Sequence, residues 1–171
     1  GSRWGVEISY LRESERLGTA GALSLLPEVP EEPVLVMNGD LVTQLNFSHL
    51  LDFHNSENVA ATMCVREYEM QVPYGVIETR SHRILDIREK PSERYLVNAG
   101  VYVLSPDVLD LIPRNRYFDM PDLFKDLIRG RRETAVFPIR EYWTDIGHLE
   151  EYQRANGHVT DAAETSAADR H

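Results

Sequence analysis

Between positions 33 and 40 the chain reads Pro-Val-Leu-Val-Met-Asn-Gly-Asp. The apolar run Val34-Leu35-Val36-Met37 is too short for a helix and is bracketed by turn formers. That is the pattern of a strand covered on both faces, which calls for a layered sheet. The run ends in Asn38-Gly39-Asp40, so a carboxylate stands just past the carboxyl end of the strand. Open α/β sheets bind ligands at that edge. An aspartate there suits a hard, oxygen-preferring cation such as Mg²⁺ beside a phosphate. The alternative is a plain turn, since Asn-Gly-Asp has turn composition too.

The rest of the chain alternates strand-like and helix-like stretches. Residues 6–11 alternate as a strand does. Gly18-Thr19-Ala20-Gly21 is a small-residue segment, with Thr19 placed to cap a helix running to about residue 27. A flat ligand such as a nucleobase could pack on that surface and meet its amides, or the glycines could serve close packing alone. Asn46 is a suitable N-cap for a helix to about residue 55. Residues 59–66 read as a strand, 67–73 as polar and irregular, and 74–78 and 84–88 as strands. The run 95–104 is the most strand-like, and Asn98-Ala99-Gly100 interrupts it, as a bulge or a polar contact with a ligand would. Ser105 and Pro106 open a short helix, and Leu123, Phe124, Leu127 and Ile128 keep helical spacing until Gly130. A strand over 134–139 precedes Trp143-Thr144-Asp145-Ile146-Gly147, a second carboxylate between strand and helix. A helix is expected from about residue 148, fading after 156. Alternating elements of this kind make an α/β sheet, mostly parallel.

Charge and cysteine content narrow the function. A net charge of −10 gives no basic stripe for nucleic acid. No stretch approaches the roughly 18 consecutive apolar residues of a membrane span. Cys64 is the single cysteine and lies in an apolar run, as a buried small hydrophobe rather than a nucleophile. One cysteine also fits a reducing compartment. The expectation is a cytoplasmic protein without nucleic-acid or membrane partners. Histidines at 49 and 54 lack metal-ligand spacing, which argues against zinc.

Six segments, taken in order, resemble the sugar-phosphate nucleotidyltransferases (NDP-sugar pyrophosphorylases), in the style of mannose-1-phosphate guanylyltransferase and glucose-1-phosphate thymidylyltransferase. They are Leu17-Gly18-Thr19-Ala20-Gly21, Asn38-Gly39-Asp40, Tyr74-Gly75-Val76, Glu89-Lys90-Pro91, Asn98-Ala99-Gly100-Val101-Tyr102 and Trp143-Thr144-Asp145-Ile146-Gly147. The resemblance implies a Rossmann-like α/β fold, a mixed and mostly parallel sheet flanked by helices. It implies Mg²⁺-dependent transfer of a nucleotidyl group from a nucleoside triphosphate to a sugar 1-phosphate, giving NDP-sugar and pyrophosphate. Gly18, Thr19, Ala20, Gly21 and Gly39 would then bind the nucleotide. Asp40 and Asp145 would hold Mg²⁺, and with Lys90, which neutralises the sugar phosphate, would be the catalytic residues. Tyr74, Gly75, Glu89, Asn98, Gly100 and Thr144 would line the sugar site. Such a displacement calls for positioning and charge neutralisation more than covalent help.

One departure from the family pattern weighs against activity of these residues alone. The family opens with a strand and a Gly-rich loop, Gly-x-Gly-x-x-x-Arg-Leu, that cradles phosphates with backbone amides. Nothing here matches it, because only Gly1 and Gly5 precede Gly18. The expectation is an N-terminally truncated enzyme: residues 1–2 a tag remnant, 3–157 the carboxyl-terminal portion of the transferase domain, 158–171 a flexible or helical tail. Such a chain would be inactive or nearly so by itself, and its open sheet edge could pair with a second copy. A non-catalytic sugar-nucleotide-binding or regulatory subunit is the alternative. A glycosyltransferase would want Asp-x-Asp where this chain has Asn38-Gly39-Asp40.

Overall fold

The structure is a computed structural model and describes residues 1–147. Its centre is a four-stranded sheet in the order β1-β6-β3-β7, where β1 is Val34–Met37, β3 is Ala61–Gln71, β6 is Ser92–Leu104 and β7 is Thr134–Pro138. Strands β1 and β3 pair antiparallel with β6, and β7 pairs parallel with β3. The sheet is therefore mixed. Three strands share a direction, but only the β3–β7 ladder is parallel, so "mostly parallel" holds for strand direction and not for pairing.

Strand β6 shows why this sequence makes a two-sided sheet. Tyr102 and Leu104 enter one buried cluster, with Ala20, Met120, Leu123, Phe124 and Leu127. Ala99, Val101 and Val103 enter a second, with Leu50, Cys64 and Ile139. That is the period-2 alternation of a strand covered on both faces. Helix α3 (Met120–Arg129) covers the first face, and helix α2 (Phe47–Glu57) packs on the second side through Leu50. The fully buried Leu123 and Leu127 each contribute roughly 1.5–3 kcal/mol through apolar area removed from water. Asn46 caps α2 as expected, its Oδ1 accepting from the His49 amide at 3.1 Å. Cys64 is fully buried, and that burial pushes its thiol up to about 12.

Helix α2 is pinned to the sheet by a buried polar bridge. His54 Nδ1 lies 2.9 Å from Thr62 Oγ1 on β3, and Nε2 lies 3.2 Å from Ser105 Oγ at the end of β6. Ser105 in turn donates to the Val59 carbonyl at 3.0 Å. Loss of solvation on burial lowers the His54 pKa below its ordinary value.

Several expectations are corrected. Residues 6–11 form no strand, and Val6, Ile8 and Tyr10 are exposed. Alternation alone cannot hold a strand without a ladder partner. Residues 67–71 are not irregular: they continue β3, because β6 extends back to Ser92 and pairs with them. The helix expected from 19 to 27 is one turn, α1 (Gly18–Gly21), followed by a 3₁₀ turn Ala22–Leu25. Strand β1 packs on both clusters, Val34 and Val36 on one and Leu35 on the other, yet is only half-buried because it lies at the sheet edge. The helix expected from residue 148, and the tail, lie outside the described residues. No helix among the described residues is long and apolar enough to cross a membrane.

Candidate functional site

The expected site residues gather in three places. The first is the carboxyl end of β1. Asn38-Gly39-Asp40 turns the chain into β2 (Leu41–Thr43), which pairs antiparallel with β8 (Trp143–Asp145) in a separate ribbon. Leu41 stands opposite Asp145, and the Ile146 amide donates to the Asp40 carbonyl at 2.9 Å. Asp40 and Asp145, 105 positions apart in the chain, are thus brought one register step apart, and both are exposed. Gly147 N donates to Asp145 Oδ1 at 2.9 Å, closing a local turn around that carboxylate. Thr144 lies half-buried opposite Val42.

Beside this ribbon β6 bulges. Met63 faces Tyr102 and Val65 faces Asn98, so Cys64 alone stands opposite Ala99, Gly100 and Val101. Gly100 takes φ +71°, in the left-handed region that favours glycine. A Cβ there would lie 2.8 Å from Asn38 Nδ2 and 3.0 Å from Leu41 Cδ1. The Gly100 carbonyl accepts from the Asn38 amide at 2.9 Å. Trp143 donates its indole N–H to the Ala99 carbonyl at 2.9 Å, tying the Asp145 strand to the bulge. Arg66 Nη1 donates to the Glu141 carbonyl at 2.8 Å, just before that strand. The interruption of β6 is therefore a bulge by geometry, and it joins β1, β2 and β8 at one point.

The second place is the base of a hairpin, β4 (Val76–Arg80) and β5 (Arg83–Arg88), which continues from the exposed far half of β3 and β6. Val76 stands opposite Arg88, so Gly75 and Glu89 are next across the ladder, and a Cβ on Gly75 would meet Glu89 Oε2 at 3.1 Å. Lys90 turns at φ +44°, and its carbonyl accepts from Gln71 Nε2 at 3.3 Å. Tyr74, Glu89 and Lys90 are all exposed. Asn98 lies six positions beyond Ser92 along β6, roughly 20 Å at the usual rise. No hydrogen bond among the described residues joins Glu89 or Lys90 to Asp40 or Asp145.

The third place is α1. Gly18 takes φ +82°, and a Cβ would lie 2.7 Å from the Phe118 carbonyl. The Ala20 and Gly21 amides both donate to that carbonyl at 3.0 Å. Thr19 N donates to Asp119 Oδ1 at 2.9 Å, while Thr19 Oγ1 accepts from Met120 N at 2.8 Å. Thr19 thus caps α3, and Asp119 caps α1. The Thr19 amide first, then the Tyr117 hydroxyl, hold the Asp119 carboxyl below its usual range. In this arrangement the small residues serve close packing on 118–119, and three of the segment's amides are already engaged.

Asp40 and Asp145 offer oxygen donors of the kind Mg²⁺ takes. Mg²⁺ keeps several waters and needs only one or two carboxylates beside substrate phosphates. Asp40 and Asp145, both exposed, could each supply such a carboxylate. No group of three or more His, Cys, Asp or Glu side chains among the described residues converges on a metal position.

Tyr102 and Trp143 stand in the segments quoted from sequence but received no role there, and neither Asp119 nor Arg66 was read as a site residue. Two signals were present. Tyr102 follows Asn98 at an even strand spacing, and a partly buried indole needs an acceptor.

The sequence profile of the family described as nucleotidyl transferase matches residues 1–162. A mannose-1-phosphate guanyltransferase of Yarrowia lipolytica is 33% identical over 157 residues, covering 88% of this chain and 43% of that protein. The chain thus spans less than half the length of such a curated relative. Among solved structures, a Bacillus anthracis protein named for glucose-1-phosphate thymidylyl transfer and solved with a sucrose superposes with a TM-score of 0.65 at 21% identity. That match covers 91% of this chain and 66% of that one. HddC from Yersinia pseudotuberculosis, complexed with GMP-PN, superposes with a TM-score of 0.56 at 22% identity, over 84% of this chain and 63% of that one.

Proposed function

The chain belongs to the nucleotidyl transferase family, and from that premise we propose that it supplies part of a site for nucleotidyl transfer from a nucleoside triphosphate to a sugar 1-phosphate, giving an NDP-sugar and pyrophosphate. The names of the relatives favour guanylyl transfer to mannose 1-phosphate. The observation that carries the reading is the β2–β8 register, which sets Asp40 beside Asp145 next to the Asn98–Gly100 bulge. Those carboxylates would hold Mg²⁺, which supplies Lewis-acid neutralisation of phosphate charge. Lys90 would neutralise the sugar phosphate. Asn98, Gly100 and Thr144 would orient the sugar beside the aspartates, and Gly39, with Gly18 and the exposed Thr19 of α1, would meet the nucleotide. Orientation and charge neutralisation are what phosphoryl chemistry asks of a protein.

The 171 residues contain no Gly-x-Gly-x-x-x-Arg-Leu loop, which favours binding over turnover by this chain alone. Calorimetric titration with GDP-mannose and other sugar nucleotides, with and without Mg²⁺, tests the proposal. Saturable binding that needs Mg²⁺ and is weakened about ten- to 150-fold in Asp145→Asn is expected, as loss of a charged ligand costs on the order of 1.5–3 kcal/mol. Absence of binding across the panel would overturn it. Rapid pyrophosphate release by the isolated chain would refute the expectation of low turnover.

A further inference from the structure

Asn98 is exposed, yet its carboxamide is held at both ends. Its Oδ1 accepts from the Gly100 amide at 3.0 Å, and its Nδ2 donates to Tyr102 Oη at 2.7 Å. An exposed asparagine ordinarily rotates freely, since nothing but water competes for its groups. Here the Gly100 amide decides which end is oxygen, and Tyr102 fixes the other. Tyr102 is itself packed in the core: it is 2% exposed, and its ring lies 6.0 Å from that of Phe124 on α3. The packing of α3 on the sheet is thereby transmitted to a side chain at the site.

We infer that Tyr102 is a positioning residue that presents Asn98 to a sugar hydroxyl. The inference rests on the function proposed above and deepens it. A carboxamide offers two N–H donors and two acceptor lone pairs. With one of each engaged inside the protein, Asn98 keeps one donor and one acceptor lone pair uncommitted. A hydroxyl both accepts and donates, so it satisfies such a pair. A fully ionised phosphate oxygen only accepts and would face the free lone pair of Oδ1 with like charge. The fixed amide therefore marks the sugar end of the ligand and leaves the phosphates to the aspartates and their cation.

Tyr102→Phe keeps the ring in the core and removes only the hydroxyl, and water can replace the lost partner of exposed Nδ2, so the fold should persist. Two measurements on the 171-residue chain test the inference. Without ligand, the Asn98 side-chain amide protons, followed by NMR, should exchange with water at least about tenfold faster in the variant. With Mg²⁺, GDP-mannose affinity should fall about three- to tenfold, the usual range for one hydrogen bond, while GDP affinity stays unchanged. Unaltered Asn98 exchange, or equal changes for the two ligands, would overturn the inference. Failure of the wild-type chain to bind GDP-mannose would instead sink the proposed function and this role with it, and the exchange data would still report whether Tyr102 holds Asn98.

Discussion

Replacing Gly100 with alanine tests whether the bulge is a built feature of the site. At φ +71° an L side chain adopts the left-handed region, at a cost of about 1–2 kcal/mol. The new methyl would sit 2.8 Å from Asn38 Nδ2, 3.1 Å from Asn38 Cγ and 3.0 Å from Leu41 Cδ1. Leu41 Cδ1 ends a flexible side chain and can shift. Asn38 has less freedom, because its backbone amide is bonded to the Gly100 carbonyl. Weakening that bond adds roughly 1 kcal/mol. The sum is a loss of about 2–3 kcal/mol, a large fraction of the usual 5–15 kcal/mol of a domain. Urea unfolding followed by tryptophan fluorescence should therefore show the midpoint falling by about 1–2 M at a typical slope. Gly39→Ala is the control, since no atom lies within 4 Å of its added Cβ and its φ is not positive. It should change stability by less than about 1 kcal/mol. If Gly100→Ala were as mild as Gly39→Ala, the account of the bulge as a close, glycine-dependent junction would be wrong.

The buried imidazole of His54 makes stability fall on the acid side. Its folded pKa lies below the ordinary 6.5, so the unfolded chain takes the proton more readily; the stability it contributes is whole above 6.5 and is lost as pH falls through the folded value. Urea midpoints between pH 7.5 and 5 should decline less steeply in His54→Gln, and an identical slope would contradict this origin. Thr19→Val removes the hydroxyl that caps α3 through Met120 N, and should cost about 1 kcal/mol while keeping the Thr19 amide bond to Asp119. An unchanged thermal midpoint would show that the reciprocal cap is dispensable.

Local chemistry was legible in the chain. Asn46 announces α2, Leu123-Phe124-Leu127 announce α3, and the run into Leu104 announces β6, because capping, helical period and strand propensity act over a few residues. The candidate acids Asp40 and Asp145 could also be named from sequence, each following a short apolar or aromatic run.

What no local pattern could supply was partnership. Residues 6–11 have the alternation of a strand but no ladder among the described residues, whereas 67–71, Glu-Tyr-Glu-Met-Gln, alternate too and do become strand, because Ser92–Leu96 lie alongside. Thr19 caps a helix 101 positions away rather than its own. The Asp40–Asp145 juxtaposition, the Trp143–Ala99 bond and the clamping of Asn98 by Tyr102 arise only when β8 and β6 come to rest at the end of β1. Residue types are set one position at a time. A binding site is set by contacts between distant segments, and those exist only in the folded chain.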